Sequence, residues 1–565
     1  MHPSAHRDSF ARDNLPPREL WPEFLLERPE YRHGPVLNAA AELRDKAVAE
    51  GDGERPALHT IADGRLYTCT YAQLQFRVDQ IARVLTEDMG LVPGNRVLLR
   101  GPNNPMMAAC WLAVIKAGLV AVATMPLLRA RELAQIIDKA RIGAALCDLR
   151  LAEEIERCRS RGDPAYSPGL ERVAFFNDDG GARADESIEQ MLTAKPGGFE
   201  ACPTASDDVA LIAFTSGTTG QPKGTMHFHR DVIIMCDAFP PHVLRPERDD
   251  VFCGTPPLAF TFGLGGMLCF PMRARASTLL MERLTPETLL GAIEQARASV
   301  VFTAPTFYRQ MAMVCDRFDL SSLRKSVSAG EALPDATRQL WKQATGLEMI
   351  DGIGATEMIH IFISSAGDDV RAGAIGRVVP GYRAMVVDDD MRELPPGSVG
   401  KLAVKGPTGC RYLADERQKN YVRNGWNLPG DTFVMDADGY YFYQARSDDM
   451  IISAGYNIAG PEVESALLAH EAVAECGVVG VPDPDRGQRV KAFVVLKPGF
   501  DGSAELAAAL QEHVKRSIAP YKYPREVEFR ASLPRTETGK LQRFRLRESH
   551  RTGRDRERPD ERRTA

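Results

Sequence analysis

From about Leu37 to Ser206, helical stretches such as Tyr71 to Leu85 alternate with short apolar runs such as Val97-Leu98-Leu99, the pattern of a layered α/β unit. The most hydrophobic window, Met106 to Thr124, is broken by Lys116 and Gly118, and Asn104-Pro105 ahead of it read as an N-cap and first helical residue. This predicts a buried helix followed by a strand, not a membrane span. The alternation continues with strands at Val300-Val301-Phe302-Thr303 and Ser326-Val327-Ser328-Ala329 and helices at Pro305 to Val314 and Asp335 to Ala344. Past Gly373 short strands with Asp/Gly turns take over, at Ala384-Met385-Val386-Val387, at Lys401-Leu402-Ala403-Val404 and in a hairpin around Asp438-Gly439. They predict a β-rich subdomain that closes a large domain.

The polar stretch Arg446-Ser447-Asp448-Asp449 reads as a linker to a small mixed unit. In that unit Pro461 to Ala469 and Ala504 to Ser517 are expected helices, and Ala474 to Val481 and Lys491 to Leu496 expected strands. The predicted fold is α/β: a large multi-layered N-terminal domain with a β-rich subdomain over 1–447 and a small, mobile α+β domain over 448–548. Residues 549–565 alternate Arg with Asp and Glu without apolar periodicity and are expected to be a disordered tail.

At 565 residues the chain exceeds one hydrophobic core. Its 44% hydrophobic and 26% charged content is that of a soluble enzyme, and a net charge of -6 gives no reason to expect nucleic acid. The 11 cysteines stand singly, with no C-x-x-C pair, which fits reduced thiols better than disulfides or a zinc site. The polar N-terminus lacks an apolar targeting core, so a cytoplasmic location without membrane association is expected.

The chemistry concentrates in Phe214-Thr215-Ser216-Gly217-Thr218-Thr219-Gly220-Gln221-Pro222-Lys223-Gly224, with four hydroxyls, three glycines and one lysine after the apolar run Val209 to Phe214. Glycines let backbone N–H groups approach an oxyanion, hydroxyls add donors, and Lys223 supplies a mobile positive charge. A Walker A loop is excluded, because Pro222 stands where its second glycine belongs and Gly224 follows the lysine instead of a hydroxyl.

Residues 215 to 224 match in full the signature T-S-G-T-T-G-x-P-K-G of the adenylate-forming enzymes, which include acyl-CoA synthetases, luciferases and the adenylation domains of peptide synthetases. Further motifs follow in the family's order: Gly354-Ala355-Thr356-Glu357, Gly430-Asp431, Arg446-Ser447-Asp448-Asp449, Gly455-Tyr456-Asn457-Ile458 and Pro534-Arg535-Thr536-Glu537-Thr538-Gly539-Lys540. The stretches Ser328-Ala329-Gly330-Glu331-Ala332-Leu333 and Asp351-Gly352-Ile353-Gly354-Ala355-Thr356-Glu357-Met358-Ile359-His360-Ile361 resemble benzoate- and 2-aminobenzoate-CoA ligases most closely. The N-terminal text Phe10-Ala11-Arg12-Asp13-Asn14-Leu15-Pro16-Pro17 is similar to the 2-aminobenzoate group. A peptide-synthetase domain is disfavoured, since no acid for an α-amino group stands in Pro256-Pro257-Leu258-Ala259-Phe260-Thr261-Phe262 and no carrier domain follows Lys540.

The resemblance implies ATP, Mg²⁺ and coenzyme A as cofactor and co-substrates, and an aromatic carboxylate as substrate, with a homodimer as one compatible assembly. Thr215, Ser216, Gly217, Thr218, Thr219, Gly220 and Lys223 would hold phosphates. Glu357, with Thr215, would bind Mg²⁺, and Thr356 would donate to the α-phosphate. Gly330, Glu331, Ala332, Asp351, Gly352 and Ile353 would line adenine; an Ile at 353 forgoes the stacking of an aromatic, about 1 kcal/mol. Asp431 would accept from both ribose hydroxyls, helped by Arg446. Lys540 would sit between the attacking carboxylate and the α-phosphate, delivered by a domain that turns at the hinge Asp448 and presents Gly455 and Tyr456 to the thiol in its other orientation. The ring would lie among Thr261, Phe262, Gly354, His360 and Ile361, with a core histidine bonded to a backbone carbonyl as the plain alternative for His360.

Overall fold

The computed structural model describes residues 1–178, 183–216, 222–446, 449–453, 456–483, 486–535 and 541–556. Gly217, Thr218, Thr219, Gly220, Asp448, Gly455 and Lys540 lie outside the described residues, as does the side chain of Ser216.

Two sheets form the body of the large domain. One runs Arg172–Phe176, Ala144–Asp148, Arg96–Arg100, Val120–Thr124, Val209–Ser216 and Pro222–Phe228, parallel except for the last pair. The other runs from Arg377–Val378 through Ile361–Ser364, Met349–Gly354, Lys325–Ala329, Val300–Thr303, Val251–Gly254 and Ser277–Leu279 to Pro56–Ala62 and Arg65–Thr70. Its centre is parallel, and antiparallel strands close both edges. Helices cover the faces, so the central strands are buried along their length: Arg96–Arg100 and Val300–Thr303 are buried at every position.

Local chemistry fixes the helix starts. The Asn104 side chain accepts from Met107 N at 2.8 Å, with Pro105 at the first helical position, and helix Pro105–Lys116 then leads into strand Val120–Thr124 as the window 106–124 predicts. Thr70 and Gln73 form a reciprocal capping box ahead of helix Tyr71–Arg83. Lys116, which interrupts that apolar window, is buried between Asp79 and Asp45 at 2.5 and 2.8 Å.

The β-rich part pairs Val399–Lys405 with Arg383–Val387 and with Asp431–Met435, which returns as Tyr441–Arg446 around the Asp438-Gly439 turn. In the small C-terminal unit, Val473–Asp483 and Gly487–Leu496 form a long antiparallel hairpin carrying Ile451–Ser453 and Glu526–Phe529, packed by helices Gly460–Leu468 and Ala504–Ser517.

Helix Arg543–Arg556 enters the first part of the stretch 549–565 read as a tail, and residues 557–565 lie outside the described residues. Leu546 and His550, four residues apart, share one face and are buried, and the His550 ring lies 3.2 Å from Lys491 Nζ. A histidine in that position does not register as apolar periodicity, so the helix is invisible to a hydrophobic count. All 11 cysteines are free thiols, and among the described residues no helix is long and apolar enough to cross a membrane.

Candidate functional site

The hydroxyl-rich segment is built on a β-hairpin. Strand Val209–Ser216 pairs antiparallel with Pro222–Phe228, Thr215 opposite Lys223 and Ser216 opposite Pro222, so the described ends of the signature belong to the sheet. Chain 411–413 runs alongside the return strand, with hydrogen bonds from Met226 N to Arg411 O and from Leu413 N to Gly224 O. That edge brings in Tyr412, which sequence reading missed.

Lys223 Nζ donates to the Tyr412 hydroxyl oxygen at 3.0 Å and lies 3.5 Å from Glu357 Oε1, and the Tyr412 O–H donates to the same carboxylate oxygen at 2.5 Å. Burial, with Cys410 and Glu357 nearby, raises the Tyr412 phenol far above its ordinary range, so it stays a donor. Thr215 Oγ1 is buried without a hydrogen-bond partner among the described residues. One carboxylate and one unsatisfied hydroxyl beside a phosphate-type hairpin fit a hard divalent cation that takes its remaining ligands from phosphate and water. Among the described residues, no cluster of three or more His, Cys, Asp or Glu offers an all-protein cage instead.

Thr356 and Glu357 sit on a short 3₁₀ turn, Thr356–Met358, and the Thr356 carbonyl accepts from His227 Nε2 at 2.8 Å. Burial lowers His227 to about 4 and keeps it neutral. The next residue, Ile359, has φ 67 and ψ -36, a left-handed conformation that costs a β-branched side chain strain. Before this residue Glu357 reaches Lys223 on the hairpin, and after it His360 packs against Phe262 and Phe270.

His360 lies in an aromatic box. Its ring centroid is 4.4 Å from Phe270, 5.7 Å from Phe262 and 5.8 Å from Phe239. Nε2 faces the Phe262 carbonyl at 3.4 Å; a carbonyl only accepts, so the proton sits on Nε2 and Nδ1 carries the lone pair. Burial lowers His360 to about 3. Gly265 makes room for the ring, since a Cβ there would lie 2.6 Å from His360 Nε2, and Gly354 makes room for the backbone, since a Cβ there would lie 2.7 Å from the His360 carbonyl oxygen. Ile361 pairs with Gly354 across the strands and packs over Gly352, whose Cβ would meet it at 2.8 Å. Phe262, Gly354, His360 and Ile361 thus converge, whereas Thr261 lines a separate small cavity with Trp111, Leu211 and Ala213.

Gly352, Ile353 and Gly354 also line the main cleft, of about 720 Å³, between the two halves of the chain. Gly330, Glu331, Ala332, Asp351, Asp431 and Arg446 share its wall, so the residues that the resemblance assigns to the nucleoside come together. Asp431 begins its strand opposite Arg446, whose Nη1 lies 3.3 Å from Asp431 Oδ1 and donates to the Pro429 carbonyl at 2.9 Å. Gly430 has φ 84, and a Cβ there would lie 2.9 Å from Arg446 Nη2, which accounts for the glycine. Burial pushes the Asp351 carboxyl up to about 7, opposed by Arg338. From the C-terminal half, Glu464, Glu475, Lys522, Arg535, Leu541 and Arg543 face the same cleft. Tyr456 does not line it; that ring is 55% exposed and stacks on Tyr521 with centroids 4.6 Å apart.

A large α/β domain whose hydroxyl-rich hairpin meets a buried glutamate, facing a small α+β unit across a polar cleft, has the architecture of the adenylate-forming enzymes. Residues 45–412 match the AMP-binding enzyme family and residues 462–540 its C-terminal domain, and the chain belongs to this family as an AMP-forming acid–CoA ligase. It is 35% identical to the benzoate–CoA ligase of Thauera aromatica, over 90% of this chain and 95% of that one. Its structure is similar to that of an anthranilate CoA ligase in complex with anthranoyl-AMP, with TM-score 0.87, 32% identity, and 94% and 100% of the two chains covered. A benzoate CoA ligase from Burkholderia xenovorans LB400 is also similar, with TM-score 0.80, 30% identity, and 90% and 99% covered.

Proposed function

We propose that the protein activates an aromatic carboxylic acid, benzoate or 2-aminobenzoate, in two steps. The carboxylate attacks the α-phosphate of ATP to give an aryl-AMP and pyrophosphate. The thiol of coenzyme A then displaces AMP to form the aryl-CoA thioester. The observation that carries this reading is the cluster of Phe262, Phe270 and neutral His360 packed next to Gly354, a residue that also lines the polar cleft. A flat ring suits a slot walled by aromatic side chains of this kind, and the similarity to benzoate and anthranilate ligases supports the same class.

The first step brings two anions together, so cations and fixed donors set its barrier. Lys223 and the hairpin hydroxyls hold the phosphates, Asp431 accepts from the ribose hydroxyls, and residues 330–332 and 351–353 flank adenine. Glu357 and Thr215 would hold Mg²⁺, which when bound would neutralise charge on the phosphate oxygens. Lys540 supplies positive charge to the reacting carboxylate and α-phosphate, and the domain comprising 448–548 turns at Asp448 between the steps. In the box, His360 Nδ1 is an acceptor that suits an ortho-amino donor. Thr261 contributes a hydroxyl only if its small cavity joins the slot when the acid is bound.

The test is a panel of benzoate, 2-aminobenzoate, 4-hydroxybenzoate, phenylacetate and hexanoate, read as AMP formed with and without CoA. Benzoate and 2-aminobenzoate are expected to lead, with 2-aminobenzoate used at least as well as benzoate. A preference for hexanoate overturns the aryl assignment.

A further inference from the structure

The wall of the cleft carries a polar link between the two halves of the chain that the chemistry above does not use. Helix Pro305–Ala312 of the large domain presents Thr306 and Arg309 to the cleft. The Thr306 hydroxyl donates to Glu331 Oε2 at 2.7 Å, and Arg535 Nη1 of the C-terminal half donates to Glu331 Oε1 at 3.2 Å. Through Nη2, Arg535 also donates to Glu475 Oε2 at 3.0 Å, within its own half. Arg309 Nη2 reaches the other way, to the carbonyls of Leu468 at the end of helix Gly460–Leu468 and of Val473 at the start of the next strand, both at 3.3 Å.

Two features make the Glu331–Arg535 pair more than a surface contact. Glu331 belongs to the segment 330–332 that lines the cleft where the nucleoside is placed. Arg535 forms an antiparallel bridge with Leu541, and Gln542 N donates to the Pro534 carbonyl at 2.9 Å, so the pair anchors the base of the segment that contains Lys540. The side chains are 16% and 26% exposed, which shields the pair from full solvent screening. If the C-terminal half turns, the bond to Glu475 travels with it, while the bonds from Arg535 to Glu331 and from Arg309 to Leu468 and Val473 must break.

We infer that Arg535 is a positioning residue for carboxylate activation: through Glu331 it docks the C-terminal half, at the base of the segment that contains Lys540, against the wall of the cleft, and Arg309 steadies the same orientation. This rests on the two-step reaction proposed above. The pair favours the first step and has no part in the second, which requires it to open. The link is therefore a built-in bias between the two half-reactions.

The test uses the full-length enzyme and measures the steps separately, as pyrophosphate release from ATP and benzoate and as benzoyl-CoA formed from supplied benzoyl-AMP. Arg535→Gln is expected to slow the first step about tenfold or more and to leave the second within about twofold, and Glu331→Gln is expected to slow the first step to a similar degree. The double variant is expected to lose no more than either single variant, since both break one bond. Arg535→Lys, which keeps the charge but loses the planar fork, is expected to recover part of the rate. Glu475→Gln, which touches only the bond inside the C-terminal half, is expected to stay within about threefold in both steps. Equal slowing of both steps, or a double variant whose loss is the product of the single losses, overturns the inference. A parent enzyme that adenylates no acid in the panel refutes the proposed reaction instead, and that outcome is visible before any variant is made.

Discussion

Removing one oxygen atom from Tyr412 tests how the cation side of the site is built. In Tyr412→Phe the ring that lies 5.0 Å from Lys223 Nζ remains, so packing under the lysine is preserved. The hydroxyl that donates to Glu357 at 2.5 Å and accepts from Lys223 at 3.0 Å is lost. A hydrogen bond to a charged group contributes about 1.5 to 3 kcal/mol. At about 1.4 kcal/mol per decade this corresponds to a loss of roughly 10- to 150-fold if the bond acts wholly on the reacting complex. Among the described residues Glu357 then keeps the longer contact to Lys223, at 3.5 Å, and loses the bond that fixes its orientation toward a bound cation. The assay is kcat/KM for ATP, followed by pyrophosphate release at limiting and saturating magnesium. The expected result is a fall in that range, partly recovered by added magnesium, with benzoyl-AMP still converted to benzoyl-CoA at the parental rate. A value within about twofold of the parent refutes the claim that Tyr412 orients Glu357.

Three further outcomes follow from the same geometry. His227, His229 and His360 are buried and held neutral at about 4, 3 and 3, while the unfolded chain takes up their protons near pH 6.5. The unfolded state therefore binds more protons below that pH, and stability falls as pH drops from 6.5 toward 4, by about 1.4 kcal/mol per unit for each histidine; a urea midpoint unchanged between pH 7 and 5 contradicts this. Gly265→Ala places a methyl 2.6 Å from His360 Nε2, and should cost about 1 to 3 kcal/mol of stability or displace the ring; kcat/KM for benzoate should fall more than that for ATP, and unchanged benzoate kinetics would remove His360 from the pocket. Lys540→Ala should nearly abolish benzoyl-AMP formation and spare thioester formation from supplied benzoyl-AMP, with equal loss in both steps as the refuting result.

Most of the framework was legible because its signals are local. Asn104-Pro105 capped the helix it announced, the Asp438-Gly439 turn closed its hairpin, and the small unit placed both helices and both strands where the apolar periods lay. The cleft residues 330–332, 351–353, 431 and 446 come together because each sits at the end of a strand or in the turn beside it, and the fold carries those ends to one side. What escaped was long-range. Tyr412 reaches Glu357 across 55 residues and Arg535 reaches Glu331 across 204, and neither partner shows a spacing that a local pattern could reveal. The helix Arg543–Arg556 was missed for a different reason: its buried face includes a histidine, and its arginines masked the period.

The central claim, that this chain makes an aryl-AMP and passes the aryl group to coenzyme A, is tested most directly by mass spectrometry of a single reaction. The enzyme is incubated with ATP, magnesium and benzoate or 2-aminobenzoate, and coenzyme A is added after the first sample. The account predicts enzyme-bound aryl-AMP with stoichiometric pyrophosphate before the addition, and aryl-CoA with AMP after it. Absence of aryl-AMP from both acids, alongside ready formation of an acyl-AMP from hexanoate, would contradict it.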